Sequence, residues 1–164
     1  MAASPGYPPL VEFRVERVAA KLTWDLRQAV LRPHETIDQM ALADDDEPST
    51  GSFAAITANG DIVGGVRVAP ASPPFSVDTY APPDTPTWRL RGMATREDVR
   101  NAGIGSALLS RAVQHVLDHG GGLLWCNARV PAMTLYRRGG FVEHGDMWED
   151  PEIGPHVVMW RLVR

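Results

Sequence analysis

A short loop, Arg-Asn-Ala-Gly-Ile-Gly at residues 100–105, holds the residues whose types and spacing most clearly suggest chemistry. It follows a predicted strand that ends at residues 93–95, and it leads into a predicted helix. The first backbone N–H groups of a helix have no partner within it, and the helix dipole adds positive potential there. Glycines at 103 and 105 leave those groups accessible, so the loop suits a phosphate or pyrophosphate. By itself the motif also fits a helix that starts after a turn and binds nothing.

The elements that position this loop are predicted to be a strand, a helix and a second strand. Apolar residues recur at helical spacing from Ile104 to Leu117, and the three glycines at 120–122 predict the end of that helix. The continuous apolar run Leu123 to Ala128 predicts a buried strand. The unit from Trp88 to Ala128 therefore predicts a right-handed parallel crossover.

The residues before this unit predict a strand, two helices and a hairpin. Alternating polarity over 11–18 predicts a strand, and residues 19–31 predict a helix that ends before Pro33. Its apolar face is predicted to contain Leu22, Leu26, Ala29 and Val30. A second, shorter helix is predicted over 34–42.

The hairpin is predicted over Ser52 to Val68. The pair Asn59-Gly60 between two apolar runs favours a type I′ turn, in which both residues have positive φ. The pair Gly64-Gly65 in the second strand indicates a bulge or a close backbone approach. The proline-rich segment 69–87 that follows is long enough to indicate either a functional loop or disorder.

After residue 128 the sequence predicts a short helix, a strand and a last strand. The helix covers 131–138, the strand begins at 141–143, and a polar segment over 145–155 leads to a strand at 156–163. The complete order is β-α-α-β-β-β-α-β-α-β-β, a mixed-sheet α/β fold. That order disfavours a Rossmann domain, in which the phosphate loop follows the first strand.

Composition limits the function classes. The 164 residues suit one domain over 1–164, with residues 1–9 as a loose tail. A formal net charge of −4 without a Lys/Arg cluster argues against nucleic-acid binding. The single cysteine, Cys126, lies in an apolar run, which fits a buried inert thiol and a reducing compartment. No signal peptide and no membrane-spanning run is present, so a cytoplasmic protein without a membrane partner is expected.

Residues 88–142 resemble the GNAT superfamily of acetyl-coenzyme A-dependent N-acetyltransferases. The loop matches the family's (Arg/Gln)-x-x-Gly-x-(Gly/Ala) pattern, and residues 93–95 lie where the family has an apolar triplet at a strand end. The run Asn127-Ala128-Arg129, followed by Ala132, Tyr136 and Gly140-Phe141, matches a second family signature. Three positions depart from the usual residues: Thr95, Asn101 and Gly139. Asn tolerates positive φ, so the loop is expected to keep its shape.

The resemblance implies the GNAT fold, with a splayed central pair of parallel strands and acetyl-CoA between them. Backbone groups of Met93 and Thr95 would pair with the pantetheine amides, and Asn127 would contact the pantetheine arm or else act only as a strand-end turn residue. Tyr136 would protonate the leaving thiolate or only pack on the coenzyme. N–H groups near Met93 and Ala94 would stabilise the oxyanion. The implied coenzyme-binding residues are Met93, Ala94, Thr95, Arg100, Asn101, Ala102, Gly103, Ile104, Gly105, Ser106, Asn127 and Tyr136.

The base that deprotonates the acceptor is not identified by the sequence. Its candidates are Glu149, His156, His144 and His34, each of which also fits an ordinary surface residue. No group of side chains has metal-ligand spacing, so no metal is expected.

The acceptor is expected to bind against residues 31–46, 69–87 and 145–155. Asp44, Asp45 and Asp46 would attract a cationic amine or form a solvated acidic turn, and Arg32 and Trp148 are candidates for the cleft lining. Trp88, Trp125 and Trp160 are expected in the core or an interface.

The predicted function is acetyl transfer from acetyl-CoA to a primary amine of a small molecule or peptide, by direct attack in a ternary complex. A non-catalytic coenzyme A-binding or sensory domain is the alternative, and a nucleotide-binding domain of another fold is a third. A homodimer is one option that the sequence leaves open.

Overall fold

Seven strands form one mixed sheet in the computed structural model, which describes residues 10–164. The predicted tail at residues 1–9 lies outside the described residues. Short 3-10 turns occur at Ala20–Thr23, Ile37–Met40, Val77–Thr79, Glu97–Val99 and Val130–Ala132. The helices are α1 (Trp24–Leu31), α2 (Ile104–Asp118) and α3 (Met133–Arg138). The strands are β1 (Phe13–Arg17), β2 (Gly51–Thr57), β3 (Ile62–Pro70), β4 (Thr87–Thr95), β5 (Gly122–Arg129), β6 (Val142–Asp150) and β7 (Gly154–Val163).

The strand order in the sheet is β1-β2-β3-β4-β5-β7-β6. All neighbours are antiparallel except β4 and β5, which are joined by α2 as the predicted parallel crossover. The mixed α/β fold and the element order predicted from the sequence are confirmed. No helix within residues 10–164 is both long and apolar enough to cross a bilayer.

The main core lies between the sheet and α2. Ile104, Leu108, Ala112 and Val116 are buried at the predicted helical spacing. Gly64 on β3 permits this packing, because a Cβ there would lie 2.7 Å from Cγ2 of Ile104. The close approach predicted for the Gly64-Gly65 pair is therefore present, and the strand register also shifts beside it.

The central strands β4 and β5 separate after a short contact. They pair only through residues 87–89 and 123–125. Gly92, with φ +66°, forms a bulge in β4 where its register with β3 shifts. From residue 90 onward, the edge of β4 that faces β5 has no strand partner within the described chain. The sheet thus opens into a cleft at this point, as the resemblance implied.

The prediction for the first helix is correct in extent and wrong in orientation. A 3-10 turn leads into α1, which ends at Leu31. Leu22, assigned to the buried face, is 51% exposed, whereas Thr23 and Arg27 are buried. The reason is that α1 lies against a part of the sheet that carries charged residues rather than apolar ones. The second helix is only the 3-10 turn Ile37–Met40.

The type I′ turn predicted at Asn59-Gly60 is wrong, because Gly60 has φ +86° and Asn59 does not have a positive φ. The N–H of Gly60 donates to the carbonyl of Thr57 over 2.9 Å, and the N–H of Thr57 donates to that of Asp61 over 2.9 Å. A turn followed by a left-handed glycine closes the hairpin instead. The residue with positive φ is therefore a glycine, which adopts this conformation without strain.

The polar segment predicted over 145–155 is mostly strand. β6 continues to Asp150 and β7 begins at Gly154. The pairing of β6 with β7 shifts between His144 and Trp148, so polarity does not alternate regularly. β6 is also one of the two edge strands, which keeps one side polar and obscures its pattern in the sequence.

The proline-rich segment 69–87 is ordered on the far side of the sheet. Tyr80 stacks on Trp160 with ring centroids 3.9 Å apart, and the Trp125 Nε1–H donates to the carbonyl of Ala71 over 3.0 Å. Together with Leu123 and Val158 these contacts make a second, smaller core. Trp88 and Trp125 are buried, as the sequence predicted.

Candidate active site

A cavity of about 1000 Å³ opens where β4 and β5 separate. One side is formed by the 100–106 loop, the first turn of α2, and α3. The other is formed by the C-terminal half of α1, the middle of β4 and the β6–β7 hairpin. The cavity therefore joins the predicted phosphate loop to the surface expected to hold an acceptor.

The loop at the start of α2 presents free backbone N–H groups to this cavity. Asn101 has φ +65° and Gly103 has φ +83°, so two left-handed residues flank Ala102. The first helical hydrogen bond runs from the N–H of Ala107 to the carbonyl of Gly103 over 3.1 Å, and no side chain caps the helix. The N–H groups before Ala107 therefore have no helical partner, which is the arrangement that binds anionic oxygens.

Most residues predicted to bind the coenzyme line the cavity. Ala102 is the exception, since it is half-buried and does not belong to the lining. Arg100 is exposed, and its Nε donates to the carbonyl of Thr95 over 3.4 Å. The lining members of the predicted set are Met93, Ala94, Thr95, Arg100, Asn101, Gly103, Ile104, Gly105, Ser106, Asn127 and Tyr136.

Tyr136 reaches the cavity from α3 and is only 4% exposed. Its ring packs edge-on against Phe141 with centroids 5.5 Å apart. Burial, with a smaller contribution from Cys126, raises the pKa of the Tyr136 hydroxyl well above its ordinary value. The hydroxyl therefore keeps its proton at neutral pH and is available as a donor.

The departure at Gly139 has a packing reason. A Cβ at residue 139 would lie 2.6 Å from Cδ2 of Leu109. Glycine thus lets the end of α3 lie directly on α2, and the substitution leaves the Gly140-Phe141 turn in place.

Comparison with known proteins decides the family. The acetyltransferase (GNAT) family matches residues 18–141 of this chain. The N-acetyltransferase YitI of Bacillus subtilis strain 168, itself uncharacterized, is 32% identical over 151 residues, which cover 92% of this chain and 96% of that relative. This chain belongs to the GNAT family. It is an N-acetyltransferase, and it transfers an acyl group from an acyl-CoA to an amine. The GNAT fold rules out the reading as a nucleotide-binding domain of another fold.

Solved structures show the same GNAT fold at lower identity. A histone acetyltransferase HPA2 and related acetyltransferase from Corynebacterium glutamicum ATCC 13032 aligns with a TM-score of 0.64 and 21% identity, over 90% of this chain and 94% of that one. An IAA acetyltransferase from Bacillus cereus ATCC 14579 aligns with a TM-score of 0.67 and 17% identity, over 92% and 99%. At these identities the likeness concerns the fold alone.

Of the four base candidates, the GNAT cavity includes His156. Its side chain is buried, lines the cavity and stacks on Trp148 with ring centroids 5.5 Å apart. His156 Nδ1 lies 2.8 Å from the carbonyl oxygen of Gly154. Because a carbonyl only accepts, Nδ1 carries the hydrogen, and Nε2 of the neutral ring holds a lone pair.

The other three base candidates lie outside the cavity lining. Glu149 is exposed on β6, one residue from Trp148 and therefore on the opposite face of the strand. His144 has its Nδ1 2.6 Å from the Tyr80 hydroxyl and packs on Phe75 in the second core. His34 is exposed, with Nε2 3.9 Å from Glu35. None of the three belongs to the residues that line the cavity.

Two residues of the acidic run at 44–46 have a structural role, and the third, Asp46, is exposed. Asp44 and Asp45 both pair with the buried guanidinium of Arg67, the second with Oδ1 2.8 Å from Nε. None of these three aspartates lines the cavity. No residue of the segment 69–87 belongs to the cavity lining either; it ends β3 at Pro70 and begins β4 at Thr87.

Arg32 and Trp148 line the acceptor half, as predicted, and further residues there were missed. Arg89 and Arg91 alternate along β4 with the buried Trp88 and Leu90. This alternation is a sequence signal that predicts the two arginines on the other face of the strand. Burial and neighbouring arginines lower the pKa of Arg91 to about 10. Arg27, Val30, Arg129 and Arg138 also line the cavity and were missed, whereas Leu31, Asp150 and Ile153 lie within the ranges 31–46 and 145–155 that were predicted to contact the acceptor.

Proposed function

We propose that this enzyme transfers an acetyl group from acetyl-CoA to the primary amine of a small molecule or peptide. In this proposal the neutral amine attacks the thioester directly while both substrates are bound. The observation that carries it is that one cavity holds both halves of the site: the free N–H groups of α2 and the open edge of β4 face a second half walled by α1 and the β6–β7 hairpin. Two substrates held in one space gain the rate advantage of proximity.

The residues of the coenzyme half fit acetyl-CoA, which supplies the thioester. The N–H groups of residues 103–106 face anionic oxygens, and Arg100 adds a charge-assisted donor. The unpaired edge of β4 at Met93 and Thr95 offers backbone groups to an amide-bearing chain, in the manner of an added strand. Asn127 is exposed on β5 across the cleft and offers a side-chain amide to the same chain.

The proposed catalytic steps are attack of the amine on the thioester carbonyl, loss of the thiol and two proton transfers. As the C–N bond forms, the carbonyl oxygen gains charge that N–H groups near Met93 and Ala94 stabilise. The C–S bond then breaks, and Tyr136 donates its proton to the leaving sulfur. His156 Nε2 accepts the proton that the attacking amine loses. His156 then releases this proton to solvent, and solvent returns one to Tyr136, so both residues regain their starting states.

The testing experiment is thiol release from acetyl-CoA across a panel of polyamines, amino acids, aminoglycosides, lysine and peptides with a free N-terminus. We expect release that depends on both enzyme and amine. Binding of acetyl-CoA without release for any amine would support the non-catalytic alternative. Cytoplasmic location, absence of a metal and a homodimer remain predictions; size-exclusion chromatography with light scattering addresses the last of these.

A further inference from the structure

Five arginines surround the acceptor half of the cavity. We call this set the arginine cluster: Arg27, Arg32, Arg89, Arg91 and Arg129. Within residues 10–164, Asp150 is the one carboxylate that joins them in the lining. Asp150 accepts the N–H groups of Glu152 over 2.9 Å and of Ile153 over 3.2 Å, so it is already engaged in its own turn. The chain carries a net charge of −4, yet this surface is strongly positive.

Most of the cluster forms no ion pair in the part of the chain that the structure describes. Within the described residues, only Arg32 has a carboxylate partner, Glu35 at 3.2 Å. Arg27 is 7% exposed and has no hydrogen bond or ion pair in that part of the chain. Arg89 has a buried Nε without a partner, and its guanidinium lies 4.9 Å from the ring centroid of Trp125. Buried charges without partners are costly, so a ligand that supplies the missing negative charge is expected.

Arg67 provides an internal comparison. It lies on β3 opposite Arg91, and its side chain is 6% exposed. Unlike Arg27 and Arg91, it is held by two aspartates, Asp44 and Asp45. The fold thus neutralises the arginine outside the cavity and leaves those that line it unneutralised.

We infer that the acceptor is a small anionic amine, with a carboxylate or phosphate close to its primary amine, and that the arginine cluster binds this anionic group. The inference rests on the proposed function. Guanidinium groups suit it, because their planar donors match two oxygens of a carboxylate or phosphate at once. Polyamines and other polycations would be repelled from the same surface.

The cluster also favours the reactive form of the amine. Positive charge near an alkylammonium disfavours that charged form and shifts its equilibrium toward the neutral amine. The same arginines would therefore bind the acceptor's anion and assist removal of the proton that His156 accepts.

The coenzyme phosphates are the alternative occupants of these arginines. The positions disfavour them, because Arg91 precedes Thr95 by four strand residues, a distance of about 13 Å along β4. The phosphate loop begins beyond that point, at Arg100. An anion held by Arg27 and Arg91 is thus separate from one held at the start of α2.

Matched amine pairs test the inference. Glucosamine 6-phosphate is compared with glucosamine, phosphoethanolamine with ethanolamine, and glycine with glycinamide. We expect kcat/KM at least about tenfold higher for the anionic member of one pair, as charged hydrogen bonds provide. Comparison of the phosphate pairs with the carboxylate pair shows whether the anionic group of the acceptor is a phosphate or a carboxylate. Equal or higher turnover of the neutral or cationic members would overturn the inference and leave acetyl transfer intact.

Arg91→Gln is the informative variant, and Arg14→Gln removes the same charge from the exposed edge strand. We expect Arg91→Gln to raise KM for the anionic amine about tenfold, with the Kd of acetyl-CoA unchanged, and Arg14→Gln to change neither. An unchanged KM, or equal weakening of acetyl-CoA, would overturn the inference. Calorimetric titration of the CoA-saturated protein with the same pairs reads binding without turnover. If no amine is acetylated, the proposed function fails. If calorimetry shows no stronger binding of the anionic amines, the role of the arginine cluster is overturned, whatever the result of the turnover assay.

Discussion

Tyr136 is the single residue on which the proposed chemistry depends most. Tyr136→Phe removes the hydroxyl and keeps the packing against Phe141, so we expect kcat to fall about 100-fold with little change in the KM of acetyl-CoA. Tyr80→Phe is the matched control, since Tyr80 lies in the second core outside the cavity. Steady-state kinetics with a thiol-detecting reagent measure both. Equal turnover by Tyr136→Phe and wild type would reduce Tyr136 to a packing role.

Cys126 is a potential nucleophile, but in contrast to Tyr136 it is predicted to be inert, because its thiol is buried. Burial raises the pKa of its thiol from 9.0 to about 12. We therefore expect no alkylation of the native protein by iodoacetamide at neutral pH and full labelling after denaturation. Labelling of the native protein at the rate of a free thiol would contradict the buried position.

The same shift predicts how stability depends on alkaline pH. Above the unfolded thiol's pKa of 9.0 the unfolded chain releases a proton that the native chain retains until about pH 12, so stability falls as pH rises. At pH 10.5 the loss is about 2 kcal/mol from this group. Urea denaturation of the wild type and of Cys126→Ala at about pH 8 and 10.5 measures the contribution of the thiol. Only the wild type should lose the additional unfolding free energy at the higher pH. Equal losses in both proteins would assign the effect to other groups.

At the residue scale, most cavity-lining residues on the loop side were predicted from the sequence, whereas most of the arginines on the opposite side were not. The loop at 100–105, Asn127 and Tyr136 belong to a contiguous pattern whose chemistry can be inferred from spacing. Arg27 was missed because the apolar residues around it defined the wrong face of the helix. Asp44 and Asp45 were open to misreading because their partner, Arg67, is distant in sequence.

Among the elements, the start of α2 offers the sharpest test. Gly103 has φ +83°, and a Cβ there would meet no atom within 4 Å, so Gly103→Ala affects backbone strain rather than packing. Such strain costs about 1–2 kcal/mol, so we expect the Kd of acetyl-CoA to rise about tenfold. Asn101→Gly is the control, because glycine accepts φ +65° without strain and should bind as the wild type does. Calorimetry measures both, and unchanged binding by Gly103→Ala would contradict the role of the loop.

Element types were well predicted where one periodicity dominates. The apolar stripe of α2 and the continuous run of β5 each have one burial pattern, and both agree with the structure. The sequence predicted the wrong type of turn between β2 and β3, because only the glycine of that turn is left-handed. It also predicted too short a β6, because a register shift interrupts the alternating pattern of that strand. Tertiary packing, which local sequence does not report, also ordered the segment 69–87.

For the molecule as a whole, the Arg67 ion pairs are predicted to support stability rather than substrate binding. Asp45→Asn leaves Arg67 with only the half-exposed Asp44, so we expect a loss of about 3 kcal/mol in unfolding free energy. Asp46→Asn, at an exposed position, should change it by less than about 0.5 kcal/mol. Urea denaturation provides both values. A raised KM for the amine without loss of stability in Asp45→Asn would restore an acidic acceptor site.

Charge is distributed unevenly over the whole molecule, and this distribution connects stability with specificity. Acidic residues outnumber basic ones, 20 to 16, yet arginines concentrate in the cavity. The negative net charge therefore argues against nucleic acid as a partner, but it gives no information on the acceptor.

The most direct test of the central claim is the initial rate of thiol release with acetyl-CoA and an accepted amine both varied. Direct attack in a ternary complex predicts reciprocal plots that intersect, because neither product leaves before both substrates bind. Parallel lines with an acetylated enzyme isolated in the absence of amine would contradict it, and would require a nucleophile in the protein.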